Sequence, residues 1–115
     1  MTLECLLGST APFRKELHRL RPFPGNLYVA DKVTKLLKGS GMVASHAHCS
    51  RVQDPYSLRC IPQVHGAVRD AIGYAETVLS IEMNSATDNP MVFADSGDVL
   101  SGGNFHGDHR RHLQQ

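Results

Sequence analysis

Gln53, Tyr56 and Arg59 lie close together in the segment RVQDPYSLRC, which runs from Arg51 to Cys60. A guanidinium group carries parallel N–H donors that match the two oxygens of a carboxylate, and it stays charged at any working pH. If the segment is helical, Tyr56 and Arg59 stand three residues apart on one side, with Gln53 just upstream. A site for a substrate carboxylate could be built from these residues. From the residues alone, however, a surface turn with a solvated arginine is the favoured interpretation.

The same segment contains signals for the start and the end of a helix. Asp54 before Pro55 is a strong start signal, because an aspartate can accept hydrogen bonds from unpaired amides and proline suits the first helical position. We therefore expect a helix from Pro55, capped by Asp54. Pro62 lacks an amide hydrogen and clashes with the carbonyl four residues back, so this helix should be short or kinked.

Most of the remaining sequence has a helical pattern. We expect helices over residues 11–20 and 26–38, the second stopped by Gly39, and these two should form a hairpin. Residues 40–52 are expected to form a loop. Residues 64–83 carry an apolar stripe over about six turns, which predicts the longest helix. So small a chain cannot cover that stripe, and part of its burial should come from other segments or subunits.

The helical pattern of the sequence ends after the long helix and is followed by a pattern typical of strands. Asp88-Asn89-Pro90 should close it, because the residue before a proline is pushed out of the helical region. Residues 91–93 and 98–100 flank the polar turn 94–97 and predict a small hairpin. The expected fold class is therefore mainly α, with one kinked long helix and a small β-hairpin near the C-terminal end.

Composition excludes several classes of function. The chain has 115 residues, 41% of them hydrophobic, and a formal charge of +1, so nothing indicates binding to nucleic acid or membrane. No apolar run approaches the roughly 20 residues needed to cross a bilayer. The three cysteines are an odd number without paired spacing, which favours free thiols and a cytoplasmic location.

The seven histidines raise the alternative of a metal-binding module. His46, His48 and Cys49 precede Cys60, and histidines recur every three residues from His106, so ligands suited to zinc are present. The spacing contains no paired CxxC and does not form a strong zinc signature. We therefore predict no metal site, and metal analysis of the purified chain would distinguish the two hypotheses.

Four sequence blocks carry a resemblance to a known family. They are RVQDPYSLRC, PQVHGAVRD, IEMNSATDNPMVF and LSGGNFHG, and they follow one another between Arg51 and Gly107. In this order they are similar to the aromatic amino acid lyase family, and most closely to its members that act on histidine. The resemblance implies that residues 1–107 are the central portion of a large all-α lyase domain. Residues 108–115 then form a divergent or truncated tail, and the chain is an internal fragment.

The resemblance also implies a prosthetic group. Family members use 4-methylidene-imidazol-5-one (MIO), an electrophile that forms by cyclisation of an Ala-Ser-Gly tripeptide. The present sequence contains no Ala-Ser-Gly. We therefore expect the group in the parent enzyme but not from these residues, and we expect the fragment alone to be inactive.

The resemblance assigns an activity and roles to five residues. It implies elimination of ammonia from L-histidine to give trans-urocanate, in histidine degradation. Tyr56 would act near the electrophile and the substrate amine, and Arg59 would bind the substrate carboxylate. Gln53 would lie next to that carboxylate, Asn89 would line the same pocket, and Phe105 would pack against the substrate or the prosthetic ring.

Several alternatives remain beside this activity. Phenylalanine or tyrosine ammonia-lyases and the related aminomutases share much of the region, so the choice of substrate rests on likeness alone. Family members are homotetramers that act on small-molecule amino-acid substrates, which implies other subunits as partners. A further alternative is a non-catalytic helical segment used in assembly.

Overall fold

The computed structural model describes residues 2–107 and is mainly helical. Its elements in chain order are α1 (Thr2–Cys5), a 3-10 turn (Ala11–Phe13), α2 (Lys15–Arg19), α3 (Pro24–Leu37), α4 (Gly41–Ser45), α5 (Tyr56–Arg59), α6 (Ile61–Met83), β1 (Met91–Phe93) and β2 (Asp98–Leu100). The chain divides into two units, the first ending at Ile72 and the second beginning at Gly73. The expected fold class, mainly α with a small hairpin, is confirmed.

A small apolar core holds the first unit together. It consists of one buried side chain from each of four elements and is flanked by three partly buried ones: Leu3, Phe13, Leu37 and Leu58, then Val33, Val43 and Ile61. Phe13 is only 2% exposed, and burying a phenylalanine to this degree contributes about 1.5 to 3 kcal/mol. The core therefore joins α1, the 3-10 turn, α3 and α5.

The helix predicted over residues 11–20 is broken in two. Arg14 has an extended backbone (ψ 132°), which separates the 3-10 turn from α2. His18 of α2 is buried, and its Nε2–H donates to the carbonyl of Pro12 at 2.8 Å. This bond satisfies a carbonyl that a continuous helix would have used, so the two short pieces stay packed together.

The helix predicted over residues 26–38 is confirmed, two residues longer at its start. Pro24 is the first residue of α3, a position where its missing N–H costs nothing. The helix ends at Leu37, and Gly39 follows with a positive φ of 79°, as the stop signal required. α2 packs against α3, so the predicted hairpin is present.

The segment 40–52 and the break near Pro62 differ in detail from the prediction. The predicted loop over residues 40–52 contains α4, whose first turn is capped by Ser40, since Val43 N–H donates to the Ser40 hydroxyl at 3.3 Å. The break expected near Pro62 lies at Cys60, between α5 and α6. Pro62 itself sits in the first turn of α6, where no intrahelical donor is needed.

The long helix α6 ends earlier than its proline signal indicated. It stops at Met83, seven residues before Pro90. Asn84 Nδ2 donates to the carbonyl of Ser80, and the Ser85 hydroxyl donates to that of Ile81, both at 2.7 Å. These side chains replace the backbone donors that would have continued the helix.

The second unit contains the hairpin that the sequence predicted. β1 and β2 are antiparallel, with Met91 opposite Leu100 and Phe93 opposite Asp98. Gly97 closes the turn with φ 76°, and its N–H donates to the Phe93 carbonyl at 2.8 Å. The strand bounds agree with the predicted ranges.

α3 and α6 approach closely through two glycines within the first unit. A Cβ on Gly25 would overlap the carbonyl of Gly66, and a Cβ on Gly66 would overlap the backbone of Asn26. Asn26 is itself buried. Backbone atoms of Gly66 and Asn26 are among the atoms in the way, and they cannot swing aside as a side chain can; the side-chain oxygens of Asn26 and Asp70 lie close as well.

Much of the predicted apolar stripe on α6 is exposed. Val64, Val68 and Ile72 of the first unit are each more than half exposed, and in the second unit Met83 is 83% exposed. Cys5, Cys49 and Cys60 are free thiols, as expected. None of the helices within residues 2–107 has the length and apolarity required to cross a membrane.

The glycine contact predicts opposite effects for two alanine substitutions in one helix. Gly66→Ala should lower the free energy of unfolding by about 1 to 3 kcal/mol, because the added methyl group overpacks a backbone contact. Gly73→Ala should raise it by about 0.5 to 1 kcal/mol, because nothing lies within 4 Å of the new Cβ and alanine favours helix. Urea unfolding followed by circular dichroism measures both, and equal effects would contradict the close approach.

The exposed stripe predicts association of the isolated chain. Because α6 leaves several large apolar side chains in water, the chain should self-associate or melt with little cooperativity at micromolar concentration. Sedimentation velocity over a concentration series, together with thermal melting, tests this. A monomer with a sharp, cooperative melt would count against it.

Candidate functional site

The segment before α5 is shaped by Asp54, although not as a helix cap. α5 starts at Tyr56, one residue later than predicted, and the residue at its N-cap position is Pro55, with no side-chain cap. The expectation that Asp54 caps this helix is wrong. Its carboxylate turns to Ser9 instead, and Oδ2 accepts from the Ser9 N–H at 2.9 Å and from the Ser9 hydroxyl at 2.6 Å. Those two donors meet the needs of a buried carboxylate better than one exposed amide of a four-residue helix.

Tyr56 and Arg59 stand side by side, as their spacing predicted. The centre of the Arg59 guanidinium lies 5.7 Å from the centroid of the Tyr56 ring. Arg59 Nε–H donates to the backbone carbonyl of Asp54 at 2.8 Å. Within residues 2–107 this is the only hydrogen bond of that guanidinium, so both terminal NH2 groups are left to bind something else. The Tyr56 ring is 72% exposed.

Gln53, Tyr56 and Arg59 all line one cavity of the first unit. Its volume is about 960 Å³, and its walls come from three stretches of chain, 7–17, 43–49 and 51–63. The predicted binding segment therefore opens onto a hollow large enough for an amino acid. The wall formed by residues 7–17 was not anticipated from the sequence, because nothing in its composition marks it as part of a site.

The charges around this cavity favour an anion. Three arginines line it, Arg14, Arg51 and Arg59. Asp54 is the only acidic residue of the lining, and its carboxylate is 6% exposed and already hydrogen-bonded to Ser9. Arg14 also has a partner, since its Nε lies 3.4 Å from the carboxylate of Glu16. Arg51 Nη1 lies 3.9 Å from Asp54 Oδ1. Within residues 2–107 Arg59 alone of the three has no carboxylate partner, which makes it the arginine best placed to receive a carboxylate.

Asn89 and Phe105 lie in the second unit. Asn89 Oδ1 accepts from the N–H of Gly102 at 2.8 Å, which ties the segment after the hairpin to the turn before it. Phe105 is 61% exposed, so it is not a core residue of this unit. Their expected roles around a substrate stay predictions.

The histidines and cysteines are the possible ligands for a zinc ion in this chain. Over residues 2–107, no three His, Cys, Asp or Glu side chains come together in a way that could hold a metal ion. His109 and His112 of the suggested C-terminal series lie outside the described residues.

Comparison with known proteins identifies the family of this chain. The sequence model of the aromatic amino acid lyases matches residues 1–112. The chain belongs to the aromatic amino acid lyase family. The resemblance carried by the four sequence blocks is thereby confirmed.

Several lyases of the family are close in sequence to this chain. A histidine ammonia-lyase of Myxococcus xanthus is 57% identical over 107 residues, which are 93% of this chain and 21% of that protein. A histidine ammonia-lyase of Gloeobacter violaceus is 58% identical over the same length. The chain therefore spans about a fifth of the length of the curated relatives it matches.

Solved structures of the family agree with the fold. A tyrosine aminomutase of Streptomyces globisporus matches 93% of this chain and 24% of its own, with a TM-score of 0.77 and 36% identity. The ergothionase of Treponema denticola matches 90% of this chain and 21% of its own, with a TM-score of 0.74 and 30% identity.

Proposed function

We propose that this chain forms the substrate-carboxylate side of an ammonia-lyase active site, and that the substrate is L-histidine. The observation that carries the proposal is the half-buried Arg59 beside Tyr56 at the wall of a cavity. The identity of 57% to a histidine ammonia-lyase supports histidine as the substrate. The reaction breaks the C–N bond, removes a β-proton and yields trans-urocanate and ammonia.

Arg59 binds the substrate carboxylate in this proposal. Its Nε is occupied by the Asp54 carbonyl, and its two terminal NH2 groups form the planar fork that suits the two oxygens of a carboxylate. A hydrogen bond to a charged group contributes about 1.5 to 3 kcal/mol, which is enough to fix orientation. It falls far short of the whole barrier reduction of an enzyme, about 8 to 23 kcal/mol.

Tyr56 and Gln53 act next to that carboxylate. In this proposal the Tyr56 hydroxyl would lie near the substrate amine, and it would donate a hydrogen bond to the electrophile or accept a proton from the amine. Gln53 adds a neutral donor and acceptor. The family resemblance assigns Asn89 and Phe105 to substrate binding as well, Phe105 by packing against the substrate or the prosthetic ring.

The family implies the MIO group, and an exposed donor of the cavity fits it. The Tyr56 phenol lines the cavity and would donate a hydrogen bond to the carbonyl oxygen of MIO. When bound, the group supplies an electrophile that activates the amine as a leaving group. The present residues hold and orient the substrate beside it. The group itself forms from an Ala-Ser-Gly tripeptide that this sequence lacks.

The setting of the reaction follows from the same likeness. The parent enzyme acts in the cytoplasm at the head of histidine degradation, on a free amino acid, and assembles as a homotetramer. The exposed apolar side chains of α6 are consistent with burial by other polypeptide. Neither nucleic acid nor a membrane takes part.

A second candidate is an aminomutase, or a phenylalanine or tyrosine ammonia-lyase. It is favoured by the likeness of the fold to a tyrosine aminomutase. The lower identity to that protein, 36% against 57% to a histidine ammonia-lyase, places it second. The two candidates share the carboxylate site and differ in the ring they accept.

A chimera tests the function directly. The matching segment of the Myxococcus xanthus histidine ammonia-lyase is replaced by residues 1–107 of this chain. We expect urocanate formation within about tenfold of the unmodified enzyme, since a tenfold change in rate corresponds to only about 1.4 kcal/mol. Absorbance reports urocanate, cinnamate and coumarate separately, and chromatography detects β-tyrosine. A folded chimera that makes no urocanate refutes the proposal, and β-tyrosine would favour the aminomutase.

The role of Arg59 predicts a specific loss. In the chimera, Arg59→Lys should raise KM for L-histidine about tenfold or more, because lysine cannot present two parallel donors to a carboxylate. Arg19→Lys, at an exposed position of α2, is the matched control and should leave the kinetics unchanged. Steady-state kinetics measures both, and an unaltered KM in Arg59→Lys would remove the carboxylate role.

A further inference from the structure

We propose that Asp54, held by Ser9, is a positioning residue that sets the direction of the Arg59 guanidinium. The inference joins two contacts of one residue, its carboxylate on Ser9 and its backbone carbonyl on Arg59. Its kinetic consequences rest on the proposed function, whereas its structural consequence does not.

The Asp54 carboxylate is held firmly. Its side chain is 6% exposed, and one oxygen, Oδ2, accepts both the N–H and the hydroxyl of Ser9. The hydroxyl bond, at 2.6 Å, lies in the short range typical of an O–H donor on a charged oxygen. The other oxygen, Oδ1, is 3.9 Å from Nη1 of Arg51, whose side chain is 45% exposed. A contact that long and open to water contributes little, so Ser9 is the anchor.

The anchor controls where the Asp54 carbonyl points. The side chain and the carbonyl share one Cα, so fixing the carboxylate restricts rotation of the backbone at that residue. Pro55 restricts it further, because the residue before a proline has a narrow choice of backbone conformation. The carbonyl receives Arg59 Nε–H at 2.8 Å and thereby fixes the plane of the guanidinium. Ser9 thus acts on Arg59 through Asp54, which is 45 residues away from Ser9 in the sequence.

The wall of residues 7–17 now has a role in the site. Ser9 lies in that wall and lines the same cavity as Arg59. A purely structural role for the Ser9–Asp54 pair would change the stability of the fold and leave the selectivity for carboxylates untouched. The positioning role instead predicts a loss restricted to ligands that carry a carboxylate.

The first experiment uses the folded chimera and needs no activity. Exchange of the Arg59 Nε proton is followed by NMR in the wild-type chimera and in its Ser9→Ala, Asp54→Asn and Asp54→Ala variants. We expect slow exchange in the wild type, faster exchange in Ser9→Ala and the fastest in Asp54→Ala. Asp54→Asn should be partly rescued, because its amide oxygen still accepts from Ser9. Asp31→Asn, which removes an exposed pair with Lys35, is the matched control.

The result that overturns the inference is equally specific. If Arg59 Nε–H exchanges in the wild type as fast as that of the exposed Arg19, or if the three variants leave its exchange unchanged, Asp54 does not position Arg59. A variant that unfolds is recognised by circular dichroism, and Ser9→Ala, which removes a single hydroxyl at an exposed position, then decides the question.

The second experiment uses the chimera and separates positioning from stability. Ser9→Ala should raise KM for L-histidine about tenfold while kcat changes less than about threefold, because the Ser9 hydroxyl acts on binding of the carboxylate and not on the chemical step. Inhibition by 3-(imidazol-4-yl)propanoate should weaken in parallel, and inhibition by histamine, which has no carboxylate, should not. In an Arg59→Lys background the Ser9→Ala effect should disappear, as expected for two residues that act through one contact.

These outcomes distinguish the inference from the proposed function. An inactive but folded wild-type chimera refutes the function, while the NMR exchange still tests Asp54. An active chimera in which Ser9→Ala weakens both inhibitors equally, or neither, refutes the positioning role and leaves the lyase activity standing.

Discussion

The pair formed by the Asp54 carboxylate and Ser9 is the constraint on which the candidate site depends. It brings residue 9 against residue 54 and buries a charge whose hydrogen-bonding needs are met locally. Without those donors a carboxylate at this depth would carry a large desolvation cost. The cavity requires these two stretches of chain to meet, since both line it, and the carbonyl that holds Arg59 belongs to the same Asp54.

The remainder of the first unit is held together by a small core and a few close contacts between helices. Its core is small, and the closest helix approach relies on two glycines rather than on interlocking side chains. Tyr28 of α3 packs face-on against the Arg69 guanidinium of α6, with the centre of the charge 3.7 Å from the ring centroid. Such a contact contributes about 0.5 to 2 kcal/mol. It therefore adds to the stabilisation that the small core provides.

The sequence predicted the features that depend on neighbouring residues, and it did not predict those that depend on contacts between distant segments. The adjacency of Tyr56 and Arg59, the bounds of α3 and the hairpin all follow from spacing or turn residues within a few positions. The break at Arg14 and the short helix α4 depend on where neighbouring segments pack, so periodicity could not locate them. Asp54 misled the prediction because aspartate before proline is a good cap only when no better donor is near. Ser9 was such a donor, and no local pattern identifies a partner 45 residues away.

The bond from Arg59 Nε to the Asp54 carbonyl has a thermodynamic consequence. A free arginine side chain carries about 2 kcal/mol of rotamer entropy that binding must remove. Here the Arg59 side chain loses much of that entropy when the protein folds, before a ligand binds. The arginine is therefore preorganised for binding. Binding of a carboxylate to this site should therefore be driven by enthalpy. Its entropic penalty should be smaller than for an arginine without this hydrogen bond.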